Sequence, residues 1–241
     1  MFRGKKAVIF DMDGTLIDSV GIWNEVDRQI LGRYGNTAAA ELTENEIQQQ
    51  RDELLRYHRE AADPYREYYI DLKRMYDFEV PAEAAINARY VLAQDMLANR
   101  IDYKPGADKF IKELKYRGFK LVIASTTKRS NMEVYRKNNH NIIRKADIDT
   151  MFDLVYTRED VKRMKPDPEV YIKVMDVLEV TADECLIFED SLIGTEAAKA
   201  SGAEVAVIYD KYSDNERGQI NCLADYIVDD YYHALKALKN C

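Results

Sequence analysis

The chain has 241 residues, of which 46% are hydrophobic and 32% charged, and its formal net charge is −8. That is enough to bury one large core, or a core plus an insert, and the interspersed charges are those of a soluble globular protein. The acidic balance excludes a general nucleic-acid binder, which needs clustered Lys and Arg, and no apolar run approaches a membrane span, so neither partner is expected.

At the N-terminus, Arg3, Lys5 and Lys6 precede a short apolar run, Ala7–Phe10, too brief for the apolar stretch of a signal peptide. Cys185, Cys222 and Cys241 show no CxxC spacing, which fits a reduced, cytoplasmic protein. Ala7–Phe10 is predicted to be the first strand, of the continuous apolar kind buried on both faces. Asp11-Met12-Asp13-Gly14-Thr15 follows at once. Two carboxylates so spaced at a strand end converge on one site if the chain turns, and Gly14 permits both the turn and a close approach of backbone to an anion. One carboxylate can attack phosphorus, while the other protonates the leaving oxygen and later deprotonates water. The bland alternative is a solvated acidic turn.

From Ser19 to Arg100 no strand run stands out, glycine is absent after Gly35, and Ala, Glu, Gln, Arg and Leu are plentiful. We expect an all-helical insert over 19–100, with residues 1–18 and 101–241 forming the core. Arg56, Tyr57, His58, Arg59, Tyr65, Arg66, Tyr68, Tyr69 and Arg74 could face a polar substrate. The favoured reading for each is a helical bundle with packed tyrosines and solvated arginines. Tyr103-Lys104-Pro105-Gly106 marks the return to the core.

A helix is predicted over Ala107–Arg117 and a strand over Leu121–Ala124. Ser125-Thr126-Thr127 then offers hydroxyls and backbone N–H groups that can hold a phosphate oxygen, although taken alone it reads as a helix cap. Asn138–Asn141 reads as a polar loop and Leu154–Tyr156 as a strand. In Lys165-Pro166-Asp167-Pro168, Lys165 supplies a cation that can neutralise phosphate and position Asp11, and Pro168 is placed to open the helix Glu169–Leu178. The strand Leu186–Phe188 leads into Glu189-Asp190-Ser191, and carboxylates there suit octahedral Mg²⁺, though the helix dipole alone also favours acids. Helices over Leu192–Ala200 and Tyr231–Leu238 alternate with strands over Val205–Ile208 and Tyr226–Val228.

Strand then helix, repeated, specifies an α/β fold with a parallel sheet. Each of the four signals follows a strand, so all fall on the carboxyl edge of that sheet, where open α/β sheets bind ligands. Their order — nucleophile, hydroxyl, lysine, carboxylate pair — resembles the four motifs of the haloacid dehalogenase (HAD) superfamily over residues 5–17 and about 103–210. The resemblance implies a Rossmann-like core whose first strand lies between the second and fourth. It implies Asp11 as nucleophile and Asp13 as general acid/base, with Ser125 and Lys165 binding the transferring phosphoryl group and Gly14, Thr15 and Thr126 around it. Mg²⁺ would be held by Asp11, Asp190 and the backbone carbonyl of Asp13, with Glu189 in or just behind the ligand set. The insert resembles the helical cap of the subgroup containing β-phosphoglucomutase, phosphoglycolate phosphatase and 2-deoxyglucose-6-phosphatase, which closes over the site and selects substrate.

The implied activity is Mg²⁺-dependent hydrolysis of a small phosphorylated metabolite, a sugar phosphate or similar, through an aspartyl-phosphate, by a monomer or weak dimer. The alternative is a sugar-phosphate mutase. Mutases of the β-phosphoglucomutase type carry a His early in the cap, where this chain has Trp23, which favours water as the acceptor. Asp13 speaks against a dehalogenase proper, nothing marks Lys73 as a Schiff-base residue, and the filled motif positions speak against a non-catalytic binder on the same fold.

Overall fold

The computed structural model describes residues 1–240, so Cys241 lies outside it. The chain divides into two compact units, one of Met1–Ser19 with the chain from Ile101 onward, the other of Val20–Arg100.

In the first unit, strands β1 (Ala7–Phe10), β2 (Lys120–Ala124), β3 (Leu154–Tyr156), β4 (Cys185–Glu189), β5 (Glu204–Ile208) and β6 (Tyr226–Val228) form one sheet. Every pairing is parallel and the order is β3-β2-β1-β4-β5-β6. β1 therefore lies between β2 and β4, as expected. Successive side chains on a strand point to opposite faces. Ile9, Val122 and Ile187 on one face pack with Val170, Tyr171 and Val174 of the helix Glu169–Leu178 and with Leu192 and Ala197 of the helix Leu192–Ala200. On the other face Phe10 stacks on Phe188 at 5.1 Å, and Phe110 of the helix Ala107–Tyr116 meets Phe188 at 5.3 Å. Tyr231, which opens the last helix, meets Phe110 at 5.4 Å. Helices cover both faces, which explains the continuous apolar strands. Strand order reverses at β1, opening a crevice beyond the carboxyl ends of β1, β2 and β4.

The expected polar loop at Asn138–Asn141 is a helix start instead. Asn139 is fully buried and caps the helix His140–Ala146, its side-chain oxygen accepting from the N–H groups of Asn141 and Ile142 at 3.0 Å each. Its amide donates to the carbonyl of Ile101 at 3.0 Å. Asn is among the best N-cap residues, so its polarity serves the backbone rather than solvent.

The second unit is helical throughout: Val20–Tyr34, Thr37–Ala40, Glu44–Tyr57, Pro64–Tyr76 and Ala82–Asn99. Thr43 and Glu46 form a capping box, and Asp63 caps the helix that Pro64 begins. Ile30, Leu31, Ile47, Tyr68, Tyr69, Leu72 and Phe78 fill its core. Of the tyrosines and arginines singled out in the sequence, Tyr68 and Tyr69 are buried, while Arg56, Tyr57, Arg59, Arg66 and Arg74 are exposed. His58 is paired with Asp71 at 2.6 Å.

A charged centre lies inside this bundle. Asp27, fully buried, accepts from Arg51 at 2.8 Å, from Arg89 Nε at 2.5 Å and from the Tyr69 hydroxyl at 3.1 Å. Burial pushes its carboxyl upward, but Arg89 and Arg51 outweigh that and hold it below the ordinary aspartate value. The Arg89 guanidinium lies 4.3 Å over the ring of Trp23. No helix among the described residues is long and apolar enough to cross a membrane.

Candidate active site

β1 ends at Phe10, and the N–H of Asp11 still donates to the carbonyl of Phe188 on β4 at 3.0 Å, fixing where the first carboxylate leaves the sheet. The chain then turns. Gly14 sits at φ 80°, a conformation disfavoured for residues with a Cβ, and its N–H donates to the carbonyl of Ile17 at 3.0 Å. The tight turn directs Asp11 and Asp13 to the same edge with different surroundings.

Asp11 meets the lysine of the third motif. Lys165 Nζ donates to Asp11 Oδ1 at 2.6 Å, to Glu189 Oε1 at 2.7 Å and to the carbonyl of Ala124, at the end of β2, at 2.9 Å. Burial disfavours the ammonium, but the carboxylates of Asp11 and Glu189 more than compensate, so its pKa lies above the ordinary lysine value. Burial pushes the Asp11 carboxyl up to about 7, Lys165 drawing it down and Glu189 raising it again. Asp190 is also pushed well up, by burial first and then by Glu189 and Asp11. Asp11, Glu189 and Asp190 are all buried and offer carboxylate oxygens within 4.8 Å of one another.

Asp13 is only half-buried and is surrounded by hydroxyls. Ser19 donates to Oδ1 at 2.6 Å, Tyr135 donates to the same oxygen at 3.1 Å, and Thr127 donates to Oδ2. Ser125 is buried, and its Oγ accepts from the N–H of Thr127 at 3.1 Å. The hydroxyl that reaches Asp13 is thus that of Thr127; Thr126 remains half-exposed and enters none of these contacts. Thr15 is fully buried and donates to Asp190 Oδ1 at 2.7 Å, so its hydroxyl orients a carboxylate. Glu189 is tied on one oxygen to Lys165 and to the Tyr171 hydroxyl, which donates at 2.5 Å.

The structure therefore brings Asp11, Asp13, Thr15, Ser125, Lys165, Glu189 and Asp190 to one sheet edge. Tyr135 and Tyr171 had no signal of their own in the sequence. Thr127 lay within the Ser125-Thr126-Thr127 motif without being singled out, and the two tyrosines occupy helix positions that read as core aromatics. Chemically, the edge offers a buried carboxylate paired with a cation, a second carboxylate supplied with hydroxyl donors, and an oxygen-only cluster suited to a hard divalent cation.

The chain is similar to known proteins over most of its length. A phosphorylated carbohydrates phosphatase of Thermotoga maritima is 28% identical over 83% of this chain and 82% of its own length. Protein CbbY of Rhodobacter capsulatus is 28% identical over 93% of each chain. The crystal structure of CbbY from Rhodobacter sphaeroides in complex with phosphate superposes with a TM-score of 0.70 at 22% identity, covering 94% of this chain and 95% of that one, a likeness of fold. Residues 8–208, from β1 to the end of β5, match the haloacid dehalogenase-like hydrolases, and the chain belongs to that family of enzymes.

Proposed function

We propose that this phosphatase-type hydrolase cleaves the phosphate ester of a small phosphorylated carbohydrate, with Asp11 as nucleophile and Mg²⁺ as cofactor. The observation that carries the reading is the Asp11 oxygen held 2.6 Å from Lys165 at the end of β1, beside the buried Glu189 and Asp190. The substrate class draws on the carbohydrate phosphatase relative, which aligns over most of both chains. We assign residues 1–18 and 101–241 to the catalytic core and 19–100 to a cap that selects the substrate.

The donor set fits a divalent cation. The buried carboxylates Asp11, Glu189 and Asp190 outnumber Lys165, and the raised Asp11 and Asp190 are those of a site short of positive charge. Asp11, Asp190 and the main-chain carbonyl of Asp13 would hold Mg²⁺, which when bound neutralises a phosphoryl oxygen. Lys165 orients the Asp11 carboxylate and adds charge of the sign that the phosphoryl group needs. Asp11 attacks phosphorus and the ester oxygen departs with a proton from Asp13. Asp13 then takes a proton from the water that opens the aspartyl-phosphate. Ser125, its Oγ already accepting from the Thr127 N–H, keeps its own O–H to donate to the phosphoryl group.

The test is phosphate release from a panel of sugar phosphates and other phosphorylated metabolites, with Mg²⁺ and with chelator. Release that needs the metal supports the reading; none at ample enzyme refutes it. Isomer interconversion with little free phosphate would assign the site to a mutase.

A further inference from the structure

Tyr171 belongs to none of the four motifs, yet it touches the pair that holds the nucleophile. It lies in the first turn of the helix Glu169–Leu178, just beyond the Lys165 loop, and is fully buried. Its hydroxyl donates to Glu189 Oε1, the oxygen that accepts from Lys165, and its ring centroid is 5.0 Å from the Lys165 ammonium. A polar tip and an electron-rich face from one side chain thus act on both members of one ion pair.

An ammonium has three hydrogens, and those of Lys165 have three acceptors: Asp11, Glu189 and the fixed carbonyl of Ala124. The position of Lys165 therefore depends on the position of Glu189. Glu189 is confined on the opposite side as well. A Cβ at Gly194 would come within 2.1 Å of its carboxylate, so the helix Leu192–Ala200 leaves room for that group only because residue 194 lacks a side chain. Its second oxygen accepts from the N–H of Asp190 at 3.3 Å.

We propose that Tyr171 is a positioning residue that holds Glu189 as the anchor of Lys165, so that Glu189 serves the lysine rather than the metal. The proposal rests on the phosphatase reading of the same site. It is tested with Tyr171→Phe, which keeps the ring and removes one hydroxyl, and with Glu189→Gln.

For Tyr171→Phe we expect kcat to fall about tenfold with KM within about twofold. Mg²⁺ affinity, titrated calorimetrically, should stay within about twofold, and the melting midpoint within about 2 °C. Glu189→Gln should lower kcat further and likewise retain Mg²⁺ binding. In lysine-labelled protein the ε-carbon resonance of Lys165, assigned with Lys165→Arg, should shift in both variants. An unchanged kcat, a fall in kcat matched by a fall in melting midpoint, or a loss of Mg²⁺ affinity in either variant overturns the proposal. A wild-type protein that releases no phosphate refutes the hydrolase reading instead. The Mg²⁺ titration and the lysine resonance then still decide this one, and an unmoved resonance counts against it.

Discussion

Asp11 and Asp13 are separated by one residue and have opposite surroundings. Asp11 is buried against an ammonium, whereas Asp13 is half-buried among three hydroxyls. Asp11→Asn keeps the side-chain shape and removes the charge proposed to attack phosphorus. We expect kcat to fall by a factor of about 10⁴ or more with the melting midpoint held, since the substitution also removes a buried negative charge. Steady-state phosphate release with a parallel thermal melt checks it, and an active Asp11→Asn protein with an intact fold sinks the nucleophile assignment. Asp11, Asp13, Lys165 and Asp190 were legible in the sequence because each is a charged residue at the end of, or in a loop between, apolar runs. The hydroxyls around Asp13 were not. Adjacent threonines 126 and 127 are equivalent on paper, and only the backbone turn after β2 decides which one reaches the carboxylate. Tyr135 and Tyr171 carry the same apolar helix periodicity as any core aromatic, so their polar tips leave no trace in the pattern.

Among the elements, the strands were the most legible, because a sheet covered on both faces demands unbroken apolar runs. All six strands begin within one residue of where those runs begin. The short helix at His140–Ala146 was missed because a cap made of asparagines resembles a loop in composition. Asn139→Ala removes that cap and the shorter of the two side-chain amide bonds to the carbonyl of Ile101, leaving the one from Asn141. We expect a loss of about 2 kcal/mol by urea denaturation. The helical insert was legible as a class from its missing glycines, but its charged centre was not. Asp27, Arg51 and Arg89 come from three helices, and nothing in their local sequence separates them from the solvated charges around them. Asp27→Asn removes the carboxylate that two buried guanidiniums share. We expect a loss of about 3–5 kcal/mol, seen as early unfolding of the helical signal. Neutralising Glu25, the half-buried partner of the exposed Arg100, should leave the midpoint where it is.

For the whole molecule, the active-site carboxylates couple stability to pH and to metal together. Asp11 is raised to about 7 and Asp190 is raised as well, against about 3.9 for an aspartate in the unfolded chain. A carboxyl whose folded pKa is raised binds its proton more tightly in the native state. Its contribution is therefore fully present below pH of about 4 and is lost as pH rises through about 7. Surface and buried carboxylates with lowered values, such as Asp27, Asp153 and Asp225, act in the opposite sense, gaining over the acid side. The melting curve of the metal-free protein alone thus mixes two trends. The difference between melts in Mg²⁺ and in chelator isolates the site, because the proposed ligands of the cation are Asp11, Asp190 and the carbonyl of Asp13. Mg²⁺ requires those carboxyls ionised, so its binding at pH 5 must first displace protons, whereas at pH 8 the Asp11 carboxyl is already ionised. We expect the Mg²⁺-induced rise in melting midpoint to grow steadily from pH 5 to pH 8. Calorimetry in buffers of different ionisation enthalpy should show more protons released on binding near pH 6 than near pH 8. A metal-induced rise that is constant or shrinks over that range would mean that Asp11 and Asp190 are not the groups that bind the cation.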